Sequence, residues 1–484
     1  MKRSETLRFM GGWHAFLGGR LSRSDAEAPT SGRPEGSEAY ASSGRPAALP
    51  ACALRELFEE AGILAVTGTL PDASVVDTAR SELLAGSLDM AGWLRSRGLA
   101  FDVSRLAFAG RWVTPPLSPI RFDATFFLLE WPPSEPRQPS VLPGELASGE
   151  WIAARHALRR WEAGDVYLAQ PTLETIRVLA SDGPAGRARL SRSEAHEPDG
   201  PRPIEFRPGI RVIPLKARTL PPATHTNALL LGTGDFVLVD PGTDSPDGLR
   251  ALSGIVEREL GTAAGRLRGI WLTHHHSDHV AGAEAVRRQW CVPIWAHAST
   301  AAHLAGSGIH VERRFGGGEL VTLAGTRELR VRVLHTPGHA SGHLCFFEEG
   351  SRTLMCGDML TATGSVVINP PDGNMADYLE SLKILESVGA KVILPGHGTM
   401  VRHAGRAIRA AIRHRTQREE LVFQAWMNGV REPEAMLDSV YGELDPAARP
   451  LAARQALAHL ERLASLGRIG RLPDALASRL GEGL

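Results

Sequence analysis

The residues best suited to chemistry in this sequence are four potential metal ligands crowded into one short loop. His274, His276, Asp278 and His279 form an H-x-H-x-D-H pattern. Imidazoles and carboxylates are ligands for a borderline cation such as zinc, and the alternation lets the first two residues face one ion and the last two a second. Crowded imidazoles repel one another once protonated and are costly to bury without partners. The pattern therefore favours a metal site over a polar loop that happens to be rich in histidine.

Apolar runs predict the elements that position this loop. Gly269–Leu272 precedes it with the composition of a buried strand, and Val280–Trp290 follows it with a helical pattern. Three more candidate ligands, His339, Asp358 and His397, each follow a strand-like apolar run and stand beside glycine. Side chains in such places are presented to a shared cleft at the edge of a sheet. We therefore expect distant parts of the chain to complete one site.

With these motifs, the chain resembles the metallo-β-lactamase-fold hydrolases from about Pro208 to Met400. The resemblance implies a central αββα sandwich that holds two zinc ions, or two ions of a similar divalent metal. It also implies the ligands of each ion: His274, His276 and His339 for one, Asp278, His279 and His397 for the other, and Asp358 as the bridge. Every member of this ligand set is present.

The chemistry implied is hydrolysis without a serine or cysteine nucleophile. Two zinc ions about 3.5–4 Å apart would share a water, lower its pKa from about 15.7 toward about 7, and direct the hydroxide at a carbonyl carbon or a phosphorus. Asp278 is expected to orient the attacking group, so Asp278 and Asp358 are the catalytic candidates of this domain. The expected substrate is a small molecule with an ester, thioester or phosphodiester bond.

Four other polar residues lie close to these motifs in the sequence. Asp240 follows an apolar run and is expected to be a turn residue or a partner that orients a ligand histidine. His275, His335 and His343 carry no signal beyond loop-structural or pocket-lining roles.

Three glutamates mark a second candidate site. Glu56, Glu59 and Glu60 stand at i, i+3 and i+4 in the motif R-E-L-F-E-E-A-G-I, so they share one face of a predicted helix. The cluster either binds a hard cation such as Mg²⁺, which also grips substrate phosphates, or forms the solvated face of an amphipathic helix. The spacing leaves both interpretations open.

The same motif resembles the second half of the Nudix box. Gly18 and Gly19, followed by Asp25, supply a first half in which Asp replaces Glu. Between the halves, a segment at about 26–47 is rich in Ser, Gly, Pro and Ala and predicts a flexible insertion.

Two further segments, Trp112–Pro115 and Arg121–Phe127, make the domain similar to the coenzyme A diphosphatase-like Nudix branch. This implies a Nudix-like α/β domain over residues 1–180, with a leading strand cut short. It also implies Mg²⁺ held by Glu56, Glu59 and Glu60, the last two being catalytic, and cleavage of a nucleoside diphosphate-linked compound such as coenzyme A. Glu150 is a further metal candidate. A degenerate, regulatory Nudix domain is the alternative.

The rest of the chain predicts a linker and a C-terminal module. Residues 181–207 mix Pro, Gly, Ser, Arg and Glu without an apolar period and predict a linker. The segment Val366–Met375 and the tail at 401–484 resemble the metallo-β-lactamase branch with a linking helix and a C-terminal winged helix, which includes a lactamase-like endoribonuclease. Four arginines recur there at helical spacing and either bind the phosphates of RNA or coenzyme A or form a solvated face: Arg402, Arg406, Arg409 and Arg413.

Composition limits the function further. The 484 residues predict several domains, and the balanced charge, with a pI near 7.3, argues against a surface built mainly for nucleic acid or anionic membrane. Four scattered cysteines and the lack of an 18-residue apolar run predict a cytoplasmic protein without disulfides or membrane spans. Three hypotheses remain for the whole chain: a dinuclear metal hydrolase, an RNA-binding endoribonuclease, or a noncatalytic scaffold. The oligomeric state stays open.

Overall fold

The computed structural model describes residues 1–481 apart from 8–9, 37, 39–45, 115–117, 119, 132–137, 143, 193–200 and 363. The chain divides into two compact units, Met1–Gly200 and Pro201–Leu484. No helix in the described part of the chain is both long enough and apolar enough to cross a membrane.

The first unit combines short strands with amphipathic helices. Its strands are β1 (Lys2–Arg3), β2 (Thr30–Ser31), β3 (Val66–Thr67), β4 (Ala100–Asp102), β5 (Leu106–Val113), β6 (Asp123–Leu129) and β7 (Leu146–Ser148). Its main helices are α1 (Arg23–Glu27), α2 (Leu49–Ala61), α3 (Ala73–Leu84), α4 (Met90–Ser96), α5 (Ala154–Glu162), α6 (Gln170–Asp182) and α7 (Gly186–Arg192). The strands form three small sheets: β1 with β7, β5 with β6, and β2–β4–β3. The predicted α/β content is present, in short strands. The Nudix-like arrangement itself stays a prediction.

Helix α2 has an apolar face that packs in the core of this unit and a second face that carries the glutamates. Leu54 and Phe58, one turn apart, are fully buried and pack with Leu94 and Phe101. Gly62 ends the helix in the left-handed conformation, with φ of 72°, where glycine has no steric penalty. Burial of the apolar face fixes the direction in which the glutamate face points.

The segment predicted as a linker, 181–207, carries regular structure at both ends. Helix α7 buries Leu190 against Ala109 and Val178, and Ile204–Arg207 forms a strand. Residues 193–200 lie outside the described part of the chain. The prediction of a linker is wrong for these two ends, because single apolar residues in a Pro- and Arg-rich stretch show no period until their partners are known. The division between the units falls at Gly200, inside the segment.

The second unit contains two sheets and their covering helices. Its strands are β8 (Ile204–Arg207), β9 (Ile210–Lys216), β10 (His225–Gly232), β11 (Asp235–Val239), β12 (Arg266–Trp271), β13 (Ile294–His297), β14 (Val311–Phe315), β15 (Leu320–Leu323), β16 (Leu329–His335), β17 (Leu344–Glu348), β18 (Thr353–Gly357), β19 (Val392–Pro395) and β20 (Val401–Arg402). Its helices are α8 (Pro246–Ala263), α9 (Ser277–Val280), α10 (Ala283–Trp290), α11 (Ala298–His303), α12 (Met375–Ser387), α13 (Ala404–Met427), α14 (Pro433–Tyr441), α15 (Arg449–Ser465) and α16 (Asp474–Leu480).

These elements form the predicted αββα sandwich. One sheet has seven strands in the order β14–β13–β12–β11–β10–β9–β8, and the other has six in the order β15 to β20. Helices α8 and α10 pack on the first sheet, and α12 and α13 on the second. Between the sheets, Trp271 of β12 contacts Phe346 of β17, with ring centroids 5.1 Å apart. The central strands are covered on both faces, which explains why their apolar runs are continuous rather than alternating.

The helices after β20 form the C-terminal module. Helices α13 to α16 share an apolar core that includes Val422, Met436, Leu457 and Leu476. Helix α13 also contributes Ile408 to the core of the six-stranded sheet, and α15 contributes Ala458. The module is therefore packed against the sandwich within this unit.

Strand β8 decides where a stable second unit begins. Ile204 pairs with Val212, Glu205 accepts the N–H of Gly209 at 2.7 Å, and Arg207 is fully buried. We expect a fragment of residues 201–484 to fold and bind metal by itself. A fragment of residues 209–484 leaves the β9 edge unpaired and should melt roughly 5 °C lower. Thermal melts followed by circular dichroism measure this, and equal melting temperatures would contradict it.

Candidate metal centre

The turns at the ends of four strands bring the seven predicted ligands to one edge of the sandwich. The loop after β12 supplies four of them, and β16, β18 and β19 lead to one each. The ligands are His274, His276, Asp278, His279, His339, Asp358 and His397. Within the described residues their nitrogen and oxygen atoms form three overlapping groups, each with atoms within 4.8 Å of one another.

The first group consists of three imidazoles. His276 Nδ1 lies 2.9 Å from His274 Nε2 and 3.0 Å from His339 Nε2. His274 is fully buried, and His339 is 7 % exposed. Three ring nitrogens that converge at these distances suit one shared cation, in agreement with the assignment that the resemblance implies.

The other two groups share His279 and mix imidazoles with carboxylates. His397 Nε2 lies 3.4 Å from Asp278 Oδ2 and 3.4 Å from Asp358 Oδ2. His279 Nε2 lies 3.4 Å from the other oxygen of Asp358, Oδ1. Asp358 Oδ2 is also 3.7 Å from His339 Nε2, in the first group. Asp358 therefore lies between the three imidazoles and the pair Asp278 and His397, which is the position that a bridging ligand requires.

Hydrogen bonds behind the rings orient three of the ligand histidines. Nδ1 of His279 donates to Asp240 Oδ2 at 2.8 Å. Nδ1 of His339 donates to the carbonyl of Val367 at 2.7 Å, and Nδ1 of His397 donates to the carbonyl of His225 at 2.9 Å. These acceptors place the proton on Nδ1. They leave the lone pair of Nε2 directed at the centre.

Asp240 holds two parts of the ligand loop at once. Its Oδ1 accepts the N–H of Thr273 at 2.8 Å, and its Oδ2 accepts the hydroxyl of Thr273 at 2.6 Å as well as the ring of His279. Its φ of 47° is unusual for a residue other than glycine, and such backbone conformations cluster at functional sites. Of the two roles considered for Asp240, the structure supports orientation of a ligand histidine.

Glycines allow the ligand loops to approach one another closely. A Cβ atom on Gly396 would lie 2.6 Å from Asp358 Oδ1 and 2.7 Å from His279 Cε1. One on Gly357 would lie 2.7 Å from His343 Nε2, and the φ of Gly357 is 46°. A side chain at Gly396 would displace two ligands, and one at Gly357 would displace His343, which contacts the backbone of Asp358. This accounts for the glycines beside Asp358 and His397.

The surroundings favour the metal-binding protonation state of most ligands, but two of the histidines retain a proton. Burial lowers the pKa of His274 well below its ordinary value and that of His276 to about 3, so both rings are neutral. Burial alone would raise the pKa of the two aspartates. The bond from His397 instead lowers the pKa of Asp278 to about 2, and His279 holds that of Asp358 well below its usual range. Despite burial, the carboxylates of Asp358 and Asp240 raise the pKa of His279 well above its ordinary value, and bonds to Asp278 and Asp358 raise that of His397 to about 10. Because neutral imidazoles and ionised carboxylates coordinate cations, metal binding would release a proton from these two rings.

One buried ligand nitrogen also lacks the partner that a bound cation would provide. The Nε2 atom of His279 is buried and has no hydrogen-bond partner among the described residues, although it points at Asp358. An orphaned buried nitrogen is costly unless something coordinates it. Two divalent cations with nitrogen and oxygen ligands fit the residues present.

Three histidines near the centre have different positions. His343 Nε2 accepts the backbone N–H of Asp358 at 3.1 Å, so it supports a ligand, a role that its isolated place in the sequence does not reveal. His275 stacks on His303, with centroids 4.2 Å apart and planes 13° apart, beside Asp372. One ion cannot lie in two parallel ring planes, so this trio is not arranged as a metal site. His335 stacks on a neighbouring ring away from the ligands.

Two of the three glutamates of α2 contact the same arginine. Arg55 Nη1 donates to Glu56 Oε1 at 2.8 Å and to Glu59 Oε1 at 2.7 Å, while Nε donates to Asp25 Oδ1 at 2.7 Å. Glu60 Oε2 accepts the N–H of Gly18 at 2.8 Å, and burial raises the pKa of Glu60 to about 7. The three glutamates thus share a face but turn to different partners.

Other members of the predicted N-terminal site take separate positions. A Cβ atom on Gly19 would meet the carboxylate of Glu56 at 2.3 Å, so glycine is required there. Both halves of the proposed box meet despite the intervening segment. Glu150 is half-exposed and paired with Arg160. Residues 37, 39–45 and 115 of the predicted insertion and motif lie outside the described part of the chain.

Comparisons with known proteins bear on the second unit. Residues 221–397 match the model of the metallo-beta-lactamase superfamily, and residues 433–477 match that of the beta-lactamase associated winged helix domain. The chain carries a metallo-β-lactamase domain followed by a winged helix domain. It is an enzyme of the hydrolase class. The predicted sandwich and winged helix are thereby confirmed, while the Nudix assignment and the endoribonuclease branch remain predictions.

Curated relatives are similar over about half of this chain. The Beta-lactamase-like protein 2 homolog of Drosophila melanogaster is 29% identical over 50% of this chain and 84% of its own length. An Atrochrysone carboxyl ACP thioesterase of Aspergillus fumigatus is 25% identical over 52% of this chain and 71% of its own length. A solved beta-lactamase domain protein from Burkholderia ambifaria is 24% identical, with a TM-score of 0.47, and the match covers 56% of this chain and 89% of that one.

The bridging position of Asp358 in the metallo-β-lactamase domain gives a direct test. We expect Asp358→Ala to lower the metal content per chain and abolish hydrolysis without unfolding, because the carboxylate near both groups is lost. Elemental analysis of the purified variant measures its metal content, circular dichroism its folding, and thioester hydrolysis its turnover. Asp438→Ala, at a position whose side chain is 80% exposed, is the matched control. Unchanged turnover in Asp358→Ala would refute the assignment.

The role of Asp240 gives a second test. Asp240→Asn keeps the shape but replaces one acceptor oxygen with a donor, so the variant cannot accept all three bonds from Thr273 and His279. We expect zinc affinity to fall about 10–100-fold, the usual effect of losing such a supporting partner. Competition with a chromophoric chelator measures the dissociation constant. A constant equal to that of the unaltered protein would show that Asp240 only shapes the turn.

Proposed function

We propose that the metallo-β-lactamase domain is a dinuclear, zinc-dependent hydrolase whose preferred substrate is a thioester. The convergence of His274, His276 and His339 on one side of Asp358, and of Asp278, His279 and His397 on the other, carries the proposal. Asp278 and Asp358 are the catalytic candidates. Both ions would be held by largely buried groups, and hydrogen bonds from behind orient His279, His339 and His397.

The choice of a thioester rests on chemistry and on similarity. The predicted substrates were esters, thioesters and phosphodiesters, all of which water attacks at an electrophilic carbon or phosphorus. A relative named as a carboxyl ACP thioesterase supports the thioester among them. Its name describes that protein, and the transfer to this chain is part of the proposal.

Some residues of the site would hold the ions, and others orient the ligands or the attacking water. When bound, the two ions supply Lewis acidity and lower the pKa of water. Asp358 would bind both ions, since its Oδ2 lies 3.7 Å from His339 Nε2 and 3.4 Å from His397 Nε2. Asp278, held by His397, presents an ionised oxygen that can accept a proton from the attacking water and so fix its direction. Asp240 and Val367 keep their histidines from rotating.

Metal removal and a substrate panel test this function. Treatment with a chelator should abolish cleavage of acyl-coenzyme A thioesters, and added zinc should restore it, because the ligands cluster without needing substrate. Thiol release, followed with a chromogenic disulfide, measures the rate. Acyl-phosphopantetheine, lactones, bis-p-nitrophenyl phosphate and single-stranded RNA complete the panel. Faster cleavage of the phosphodiester or RNA than of every thioester would contradict the substrate assignment.

We propose a second, separable activity for the first unit: Mg²⁺-dependent cleavage of a pyrophosphate in a compound such as coenzyme A. The observation that favours it is the junction of both half-motifs. Arg55 joins Asp25 to Glu56 and Glu59, and Gly18 contacts Glu60. One guanidinium cannot balance all these carboxylates, so a hard cation suits the cluster. A structural or regulatory domain is the alternative.

The glutamates provide the test of this second activity. Glu59→Gln with Glu60→Gln removes charge and preserves size, so Mg²⁺-dependent pyrophosphate cleavage should vanish while zinc-dependent hydrolysis persists. Coenzyme A, a nucleoside diphosphate sugar and a dinucleotide, incubated with Mg²⁺ and the full chain, are the substrates. Lack of cleavage by the unaltered, folded protein would assign the domain a structural or regulatory role.

The RNA-binding hypothesis is weaker than the thioester proposal. Of the four arginines at helical spacing in the sequence, Arg402 lies in strand β20 and the other three lie in α13. Arg409 is paired with Glu386 at 2.9 Å, and Arg406 and Arg413 are exposed. Such an arrangement fits a solvated face. RNA cleavage remains an outcome of the substrate panel.

A further inference from the structure

We infer that the C-terminal module is part of the metal centre: Arg454 and Gln455 of α15 are positioning residues for the ligand His339. They act through the backbone segment Val366–Pro371, called here the 366–371 segment. The inference rests on the proposed role of His339 as a ligand, and it assigns a function to the module that is independent of nucleic acid.

The 366–371 segment contacts the ligand His339 directly. The carbonyl of Val367 accepts the Nδ1–H of His339 at 2.7 Å. This bond selects the tautomer with its lone pair on Nε2 and sets the plane of the ring. His339 Nε2 is 3.0 Å from His276 Nδ1 and 3.7 Å from Asp358 Oδ2, so rotation of this ring would disturb both groups. The position of the Val367 carbonyl therefore matters for coordination.

Two side chains fix the segment immediately before Val367. Gln455 Nε2 donates to the carbonyl of Val366 at 2.8 Å, and Arg415 of α13 donates to the same carbonyl. Arg415 also donates to Gln455 Oε1 at 3.1 Å, which fixes the amide of Gln455 in the orientation that presents its NH₂ group. Two donors from two helices thus hold the peptide group directly before Val367.

Arg454 fixes the segment after Val367. Arg454 Nε donates to Asn369 Oδ1 at 2.7 Å, and its Nη2 donates to the carbonyl of Pro370. Its Nη1 donates to the carbonyl of Arg479 in α16 at 2.5 Å, which ties the guanidinium to the module itself. The planar fork of arginine suits three acceptors in fixed directions, whereas the ammonium of lysine is a single point charge. Val367 is thus held on both sides.

Burial argues that these contacts are specific. Arg454 and Gln455 are each 8% exposed and Arg415 is 3% exposed. Burying a guanidinium is costly unless its donors find acceptors, so the native position of Arg454 depends on the carbonyls of this segment remaining where they are. Ile368, within the segment, is fully buried in the core shared by the six-stranded sheet and the module. The segment is thereby fixed by packing as well as by hydrogen bonds.

The test compares two variants with a control on the same helix. Arg454→Lys keeps the charge but loses the fork, and Gln455→Met keeps the length but loses the donor to Val366. Arg449→Lys alters an arginine of α15 that donates to the exposed Asp438 at 2.9 Å. All are made in the full chain. The measurements are the zinc dissociation constant, by competition with a chromophoric chelator, the absorption spectrum of the cobalt-substituted protein, and the melting temperature of the metal-free protein.

We expect zinc to bind about 10-fold more weakly or worse in both variants, with altered cobalt absorption, while the control matches the unaltered protein. A lower melting temperature with unchanged zinc affinity and cobalt spectrum would show a merely structural role and overturn the inference. If one variant does not fold, the other decides. The unaltered protein separates the two proposals: if it binds no zinc, the proposed function fails, whereas equal binding by protein and variants refutes only the positioning role.

Discussion

The second unit depends on the cost of burying imidazoles and carboxylates together. His274 and His279 are fully buried, and Asp358 lies between them and His397 with its side chain 17% exposed. Such groups are stable in a protein interior only when each has a partner, which is either a hydrogen bond from behind or a cation in front. The two-layer sandwich supplies the first kind of partner, and its ligand atoms lie close enough together to bind the second kind.

Backbone groups from distant elements supply much of that support. The carbonyl of His225 holds His397, and the carbonyl of Val367 holds His339. A carbonyl carries no sequence signal, because every residue has one. This explains why the fold positions its ligands with partners that cannot be recognised as motifs. It also explains why helices beyond the sandwich can influence the centre, since they fix backbone segments rather than ligand side chains.

The first unit shows the same electrostatic problem with a different partner. Arg55 is 7% exposed and lies among Asp25, Glu56 and Glu59, and burial raises the pKa of Glu56. The single guanidinium of Arg55 supplies part of the compensating charge in this cluster. In the second unit the proposed cations would supply it instead.

The sequence alone predicts the candidate ligands, because H-x-H-x-D-H and glycine-flanked His and Asp residues are dense local signals for metal chemistry. It also determined the sandwich strands, because strands covered on both faces must be continuously apolar. Only the tertiary structure decided that Asp240 orients a ligand, that His343 supports Asp358, and that residues 204–207 belong to a sheet rather than a linker. These roles depend on contacts between residues far apart in the chain, such as the 39 positions that separate Asp240 from His279. Local spacing cannot encode such contacts, since packing creates them.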